Sequence, residues 1–295
     1  LVLVNPKAGR RLILRLFLPA ILDTLRRGGL TCTVRFTRYA GHATALVRRA
    51  RDQVDCIVVM GGDGTVDEAV RGMDGAMLPL GILPFGTANV LAADLGIPMN
   101  PVLAARCIAD GALRSMDVGS VNGIPFVLMV SVGLDAFTVH NLNLEAKHYL
   151  GKLAYGIAAF SSLLYYRFRR FVVSIGSEGV ADQGYLAIVA NSRFYGGRFR
   201  LGDEISIQDG ALDVLLFKKG TVLDTLRLVW GILTQTHRTM PDVRLYRTSR
   251  VTIRAKRRIY MQMDGDRVPF TTADIQVAER VLPVFVPAGS RRTVS

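Results

Sequence analysis

The sequence predicts an α/β protein in two parts. Residues 1–118 read as a domain built on a parallel sheet with helices on both faces. Residues 119–286 read as a β-rich domain, with residues 287–295 returning to the first. Three observations carry this expectation. Strand-like and helix-like stretches alternate up to Asp117, two glycine loops stand directly after strands, and beyond Asp117 short strands with turn signals take over. The 295 residues are half hydrophobic, enough for a large core and for two domains.

Taken in order, LVLVN (residues 1–5) is a buried strand, and Leu12 to Gly28 is a helix stopped by Gly28-Gly29. Thr31 to Thr37 is a second strand, Gly41 to Asp52 a helix, and Asp55 to Met60 a third strand. Val66, Ala69, Val70 and Met73 recur at the i, i+3, i+4, i+7 spacing of an amphipathic helix. Leu80 to Leu83 is a strand, and Ala88 to Leu95 a helix ended by Gly96 and Pro98. The later strands are Phe126 to Val132, Phe171 to Gly176, Tyr185 to Ala190, Leu212 to Phe217, Val251 to Arg254, Ile259 to Met263 and Val281 to Val286. Two long helices interrupt them, near Leu144 to Arg167 and Val222 to Thr236.

No apolar run reaches 18 residues, so no bilayer span is expected; AYGIAAFSSLLYY (residues 154–166) is too short. No signal peptide is visible. Cys32, Cys56 and Cys107 lack metal-type spacing and His42, His140, His148 and His237 are scattered, so the expectation is a reduced cytoplasmic protein without disulfides or zinc. The net charge is +13, with 14 Lys/Arg against 10 Asp/Glu in residues 1–118 and 23 against 14 in the remainder. An excess of that size suits an anionic surface, either nucleic acid or acidic lipid, or serves solubility alone.

The chemistry concentrates in the glycine loops. In an open parallel sheet ligands bind beyond the carboxyl ends of the strands, where GGDGT (residues 61–65) and PFGTAN (residues 84–89) both stand. Glycines let backbone approach a ligand, and free N–H groups at a helix start attract anions. Neither loop is a standard one: Asp67 occupies the place of the third glycine of G-x-G-x-x-G, and GILPFGT lacks the Lys of a P-loop. Thr65 and Glu68 fit a capping box, Thr87 an N-cap, and Asn89 a solvated first-turn residue. Asp63 is different, because an acid between glycines is not required by the turn and helps the helix dipole by only about 0.3–1 kcal/mol. Bridging to phosphates through Mg²⁺, or orienting a hydroxyl, would justify it.

Several motifs together resemble the diacylglycerol-kinase-like lipid kinases, the group that includes sphingosine and ceramide kinases. They run in order along nearly the whole chain: NPKAG (5–9), Thr37 before GHA, GGDGTVDE, LGILPFGTAN, MDVG (116–119), VSVGLDA, KLAY, NSRFYGG, DGALDV and MDGD (263–266). The resemblance implies a Rossmann-like nucleotide domain, a β-rich sandwich domain, and ATP with Mg²⁺ meeting a lipid substrate in the cleft. It assigns the nucleotide to Asn5, Thr37, Gly61, Gly62, Asp63, Gly64, Thr65, Glu68, Gly86, Thr87 and Asn89, with Asp63 in the Mg²⁺ network. It gives the role of general base to Asp266, where similar enzymes carry Glu, and a structural Mg²⁺ to Asp213. The late Asp264-Gly265 and the DG of DGALDV also fit hairpin turns. Many bacterial members carry Asp directly after the Asn of GTAN; here that residue is Val90. The resulting expectation is an ATP-dependent lipid kinase acting on a lipid such as diacylglycerol, in peripheral contact with an anionic membrane near RFRRF (167–171) and not with nucleic acid. A sphingoid-base or phosphatidylglycerol kinase, an NAD kinase and a non-catalytic nucleotide- or lipid-binding relative are the alternatives, and a homodimer is open.

Overall fold

The structure, a computed structural model, describes residues 1–9, 11–134, 136–137, 165–176, 179–195 and 199–289. The expected helix near Leu144 to Arg167 lies almost wholly outside them, as does KLAY. The described chain divides into two compact units: residues 1–118 with 278–295, and residues 119–195 with 199–277.

In the first unit the elements are β1 (Val2–Val4), α1 (Arg11–Arg27), β2 (Val34–Phe36), α2 (His42–Ala50), β3 (Ile57–Gly61), α3 (Asp63–Met73), β4 (Leu80–Pro84), α4 (Val90–Asp94), α5 (Pro101–Ala109) and β5 (Leu113–Met116). The strands β1, β3 and β4 are buried along their whole length, as parallel strands covered on both faces must be. Parallel pairing runs β2-β1-β3-β4, so the carboxyl ends of four adjacent strands come to one edge. The sequence reading passed over α5, although its signals are present. Asn100 accepts from the backbone N–H groups of Val102 and Leu103 at 2.9 and 3.3 Å, and Pro101 follows as the first helical residue.

The second unit holds β6 (Gly119–Val121), β7 (Ile124–Phe126), β8 (Met129–Val132), β9 (Phe171–Ile175), β10 (Val180–Gly184), β11 (Leu186–Ala190), β12 (Phe194–Tyr195), β13 (Phe199–Arg200), β14 (Leu212–Phe217), α6 (Val222–Leu233), β15 (Val243–Thr248), β16 (Arg250–Met263) and β17 (Asp266–Val277). All but β12 and β13 of its strands join one antiparallel sheet. Its core gathers inward residues of many strands, among them Phe126, Phe171, Val214, Val251 and Ile275.

Three expectations change. Val281 to Val286, counted with the later strands, gives β18 (Leu282–Phe285), which inserts between β4 and β5 in the first unit's sheet. Leu282 and Val284 are fully buried there; an apolar run fits either sheet, and the pattern alone does not choose. Phe126 to Val132 is two strands rather than one, because the N–H groups of Val127 and Leu128 turn to a carboxylate instead of a neighbouring strand. Val251 to Arg254 and Ile259 to Met263 are one strand, β16, with a bulge between them.

Helices α1 and α5 pack without room for a side chain at Gly28, where a Cβ would stand 2.5 Å from Ala109 Cβ and 2.9 Å from its Cα. We expect Gly28→Ala to cost about 1–3 kcal/mol through overpacking. Gly29→Asn, at φ +82° with open space around it, should melt close to wild type. Thermal unfolding of the two variants reads the difference.

Candidate active site

Three loops meet at the carboxyl edge of the first sheet. The turn after β1 is fixed by Asn5, whose N–H donates to the Met60 carbonyl at 2.9 Å and whose side-chain Oδ1 accepts from Lys7 N–H at 3.0 Å. Asn5 Nδ2 then donates to Thr65 Oγ1 at 2.9 Å, tying this turn to GGDGT. Thr37, buried at the end of β2, donates its N–H to the Val4 carbonyl at 2.9 Å. The structure therefore brings Asn5, Thr37 and the two glycine loops together on one edge.

The glycines have separate reasons. A Cβ on Gly86 would lie 2.5 Å from Gly62 Cα, so the two loops touch backbone to backbone. A Cβ on Gly61 would meet the Thr65 side chain at 2.8 Å. Gly64 has neither reason. It is exposed, its backbone is helical, and nothing lies within 4 Å of a Cβ built there. A glycine in a helical turn costs about 1 kcal/mol relative to Ala, so open space over Gly64 calls for an explanation outside the fold. A ligand resting on the first turn of α3 supplies one, since the leading N–H groups of a helix lack partners within it.

The capping expectations are corrected. Helix α3 starts at Asp63 with extended Gly62 as its N-cap, three residues before the capping box requires, so Thr65 is inside the helix. Glu68 serves another helix: its two carboxylate oxygens accept from Gly41 N–H at 2.7 Å and Ala43 N–H at 3.1 Å, capping the start of α2. Thr87 is exposed and does not cap α4; the N-cap is Asn89, in the left-handed region at φ 49°. Asn89 closes its own loop, accepting from Gly86 N–H at 2.9 Å and donating to the Gly86 carbonyl at 3.0 Å.

Asp63 has a job that the sequence did not suggest. Its Oδ2 accepts from Val90 N–H at 3.0 Å and its Oδ1 from Leu91 N–H at 3.1 Å, so the acid of the first loop holds the helix that follows the second. Burial pushes its pKa up, and the backbone N–H groups of Val90, Leu91, Asp63 and Asn89 pull the other way. Each carboxylate oxygen keeps acceptor capacity beyond these bonds.

In the second unit, Asp264 and Gly265 have φ of 51° and 89°, both positive as a two-residue hairpin turn of this type requires, and they join Met263 of β16 to Asp266 of β17. The Asp264 carboxylate accepts from Val127, Leu128 and Met129 N–H at 2.6, 2.9 and 2.8 Å. Buried Gln262, which sequence reasoning missed, accepts from Gly265 N–H at 2.7 Å and donates to Ser131 Oγ at 3.0 Å. Its signal is a Gln inside the apolar IYMQM. Asp266, one residue past the turn, is exposed.

Asp213 lies on β14. The DG turn before it enters this strand without joining two paired strands, so it is not a hairpin turn. Asp213 Oδ2 is buried without a hydrogen-bond partner among the described residues. Burial pushes its pKa from 3.8 to about 6, helped by Asp209 and Glu204 and opposed by Arg247. An orphaned carboxylate beside two other acids suits a cation. Among the described residues, however, no three acidic, His or Cys side chains form a metal-holding group.

Comparison with known proteins assigns the chain to a family. Residues 1–121 match the family model "Diacylglycerol kinase catalytic domain", and residues 128–286 match "YegS C-terminal NAD kinase beta sandwich-like domain". The chain is 31% identical over 241 residues to a diacylglycerol kinase of Mycobacterium tuberculosis (strain H37Rv), covering 79% of this chain and 77% of the relative. The chain belongs to the diacylglycerol-kinase-like lipid kinases. A diacylglycerol kinase of Bacillus subtilis (strain 168) is 29% identical over 273 residues, 90% of this chain and 88% of the relative. A solved structure from Bacillus anthracis str. Sterne, provisionally assigned as a diacylglycerol kinase, superposes with a TM-score of 0.81 at 26% identity over 97% of this chain and 94% of the other. The chain is thus a lipid kinase whose first unit carries the family's catalytic-domain match.

Two outcomes follow for this lipid kinase. Gly86→Ala should destabilise it, because backbone at 2.5 Å cannot give way. Gly64→Ala should leave stability unchanged or raise it by up to ~1 kcal/mol, yet weaken nucleotide binding. Equal nucleotide affinity in wild type and Gly64→Ala, by titration calorimetry, would show that the open space is unused. For Asp213, the folded protein keeps a proton between pH 3.8 and about 6 that the unfolded chain has lost. Stability therefore falls as pH rises through that window and is level above it. Asp213→Asn should remove the fall, and melting curves from pH 4 to 7 read it.

Proposed function

We propose that this lipid kinase transfers the γ-phosphoryl group of ATP to the hydroxyl of diacylglycerol or a closely related glycerolipid, at a cytoplasmic membrane face. The carrying observation is Gly64: an exposed helical glycine with open space above it, at the junction of three loops on the carboxyl edge of a parallel sheet. The choice of acceptor follows the relatives, whose names say diacylglycerol kinase.

In this reading the first turn of α3 presents N–H groups to the phosphates. Gly64 lets them approach, and Asn5, Thr37, Thr87 and Asn89 fix the loops around the nucleotide. Catalysis of this kind is mostly positioning and charge neutralisation. Mg²⁺ accompanying the nucleotide would neutralise phosphate charge, with the remaining acceptor capacity of Asp63 available to it. Asp213, with its orphaned oxygen, is the candidate for a separate structural cation. Glu68 and Asp264 spend their carboxylates on backbone N–H groups and are left to the fold.

Asp266 is assigned as the general base. The lipid oxygen attacks the γ-phosphorus, the bond to the bridging oxygen of ADP breaks, and Asp266 takes the proton from the lipid hydroxyl. The turn before it makes the assignment testable, since Asp264 holds the hairpin and Asp266 is exposed beside it. Asp266→Asn should lower kcat by about 10²–10⁴-fold with the melting temperature and ATP affinity unchanged. Asp266→Glu should retain substantial activity. Asp264→Ala should instead lower stability, because each of three backbone N–H groups left unsatisfied costs about 1–3 kcal/mol. Radiolabelled ATP against a panel of diacylglycerol, phosphatidylglycerol, a sphingoid base and NAD reads the acceptor. Full turnover by Asp266→Asn, or ATP binding with no transfer to any acceptor, would sink the assignment.

A further inference from the structure

Two basic segments far apart in sequence lie side by side in the second unit. Strand β9 pairs with β16 from Val251–Ile175 to Arg254–Val172. This pairing brings the residues just before Phe171 alongside those just after Arg254. The first segment carries Arg167, Arg169 and Arg170; the second carries Arg254, Lys256, Arg257 and Arg258 in and around the bulge of β16. All seven are exposed. Arg169 Nη1 donates to the Arg258 carbonyl at 2.8 Å, a direct bond between the segments.

Among the described residues none of the seven makes an ion pair. The partners that exist are neutral: Arg170 donates to Gln183 Oε1 at 3.3 Å and to Tyr185 OH at 3.2 Å. Elsewhere in the same unit cations are matched, as in Lys218 with Asp182, Arg227 with Asp242, Arg238 with Glu204 and Arg247 with Asp209. The patch is therefore not the general basicity of the chain. Among the described residues no acid pairs with it, and like charges crowded on neighbouring strands oppose folding.

Beneath it the segments are locked. Tyr166 meets Phe168 edge-on with ring centroids 5.1 Å apart, and Phe137 lies tilted against Tyr166 at 5.2 Å and edge-on to Tyr260 at 4.9 Å. One side chain of this cluster comes from the strand bearing the bulge and two from the other segment. The charges are thus held on a preformed surface. Tyr260 is 38% exposed and Tyr165 80%, which places amphipathic rings among the cations.

We propose that this surface docks on an anionic lipid bilayer, the acidic headgroups engaging both basic segments while the exposed tyrosines rest at headgroup level. Lys and Arg near such a surface are each drawn to it, and tyrosine is favoured at that depth. The reading rests on the lipid-kinase assignment only in preferring a bilayer to another polyanion. The bulge then has a function, since it spreads four cations over a stretch where a regular strand would send alternate residues to opposite faces.

The test is co-sedimentation of the full chain with vesicles of phosphatidylcholine, with or without phosphatidylglycerol. Wild type should bind only the phosphatidylglycerol vesicles and release as NaCl rises. Lys256→Gln with Arg257→Gln should lower the partition coefficient by about 30-fold. Arg167→Gln with Arg254→Gln, drawn from both segments, should lose a similar factor. Arg48→Gln with Arg49→Gln, on α2 of the first unit, removes the same charge and should change binding far less. An equal loss in that control, salt-insensitive binding to phosphatidylcholine alone, or displacement from vesicles by duplex DNA at equal phosphate concentration each overturns the proposal. Phosphorylation of detergent-dispersed diacylglycerol, run in parallel, separates the two readings. Turnover there by the Lys256/Arg257 variant with lost vesicle binding supports docking. Vesicle binding by a chain that phosphorylates no lipid leaves docking intact and removes the kinase chemistry.

Discussion

The carboxylate of Asp63, seated against the N–H groups of Val90 and Leu91, holds the first unit's loops in their arrangement. It leaves the first glycine loop and reaches the helix that follows the second. With Gly62 and Gly86 touching backbone to backbone, the two loops are stitched by one polar and one steric contact. Asn5 adds the third loop through Thr65. The acid faces N–H groups at a helix start, where negative charge is favoured, and so stabilises this arrangement of the loops.

The same device recurs. Glu68 fixes the start of α2 from α3, and Asp264 gathers three successive N–H groups below the hairpin turn. A carboxylate accepting backbone N–H groups makes charge-assisted bonds stronger than neutral ones, and it stops strands or starts helices where no ladder partner exists. This partition sorts the acids of the motifs. Glu68, Asp264 and Asp63 all hold backbone N–H groups, and Asp266 is exposed.

Much of this was legible beforehand. Alternation gave the parallel sheet because buried parallel strands are short continuous apolar runs, and the glycine loops fell at strand ends as the connectivity demands. The D-G turn followed from two residues that tolerate positive φ. The rest was hidden for a physical reason: it depends on contacts between residues distant in sequence. Glu68 satisfies the local spacing of a capping box, yet its partners, Gly41 and Ala43, lie 27 and 25 residues away. Strand β18 has the same pattern as its neighbours in sequence and belongs to another sheet. The cations from Arg254 to Arg258 gain a neighbouring basic segment only because β9 sets Arg167 to Arg170 beside them.

Val90 shows how far the joint around Asp63 constrains the chemistry. The resemblance puts an Asp at this place, where this chain has Val90. In the structure Val90 is only 6% exposed and is the first residue of α4, and its N–H is one of the two that Asp63 accepts. A carboxylate on that side chain would either be buried or force the helix start to move, and burying an ion without a partner is costly. The backbone at this position does what the fold requires whichever side chain it bears. A valine here therefore leaves the loop geometry intact. The acid that remains between the two loops is Asp63, and its carboxylate is held by the backbone of the helix start that Val90 opens.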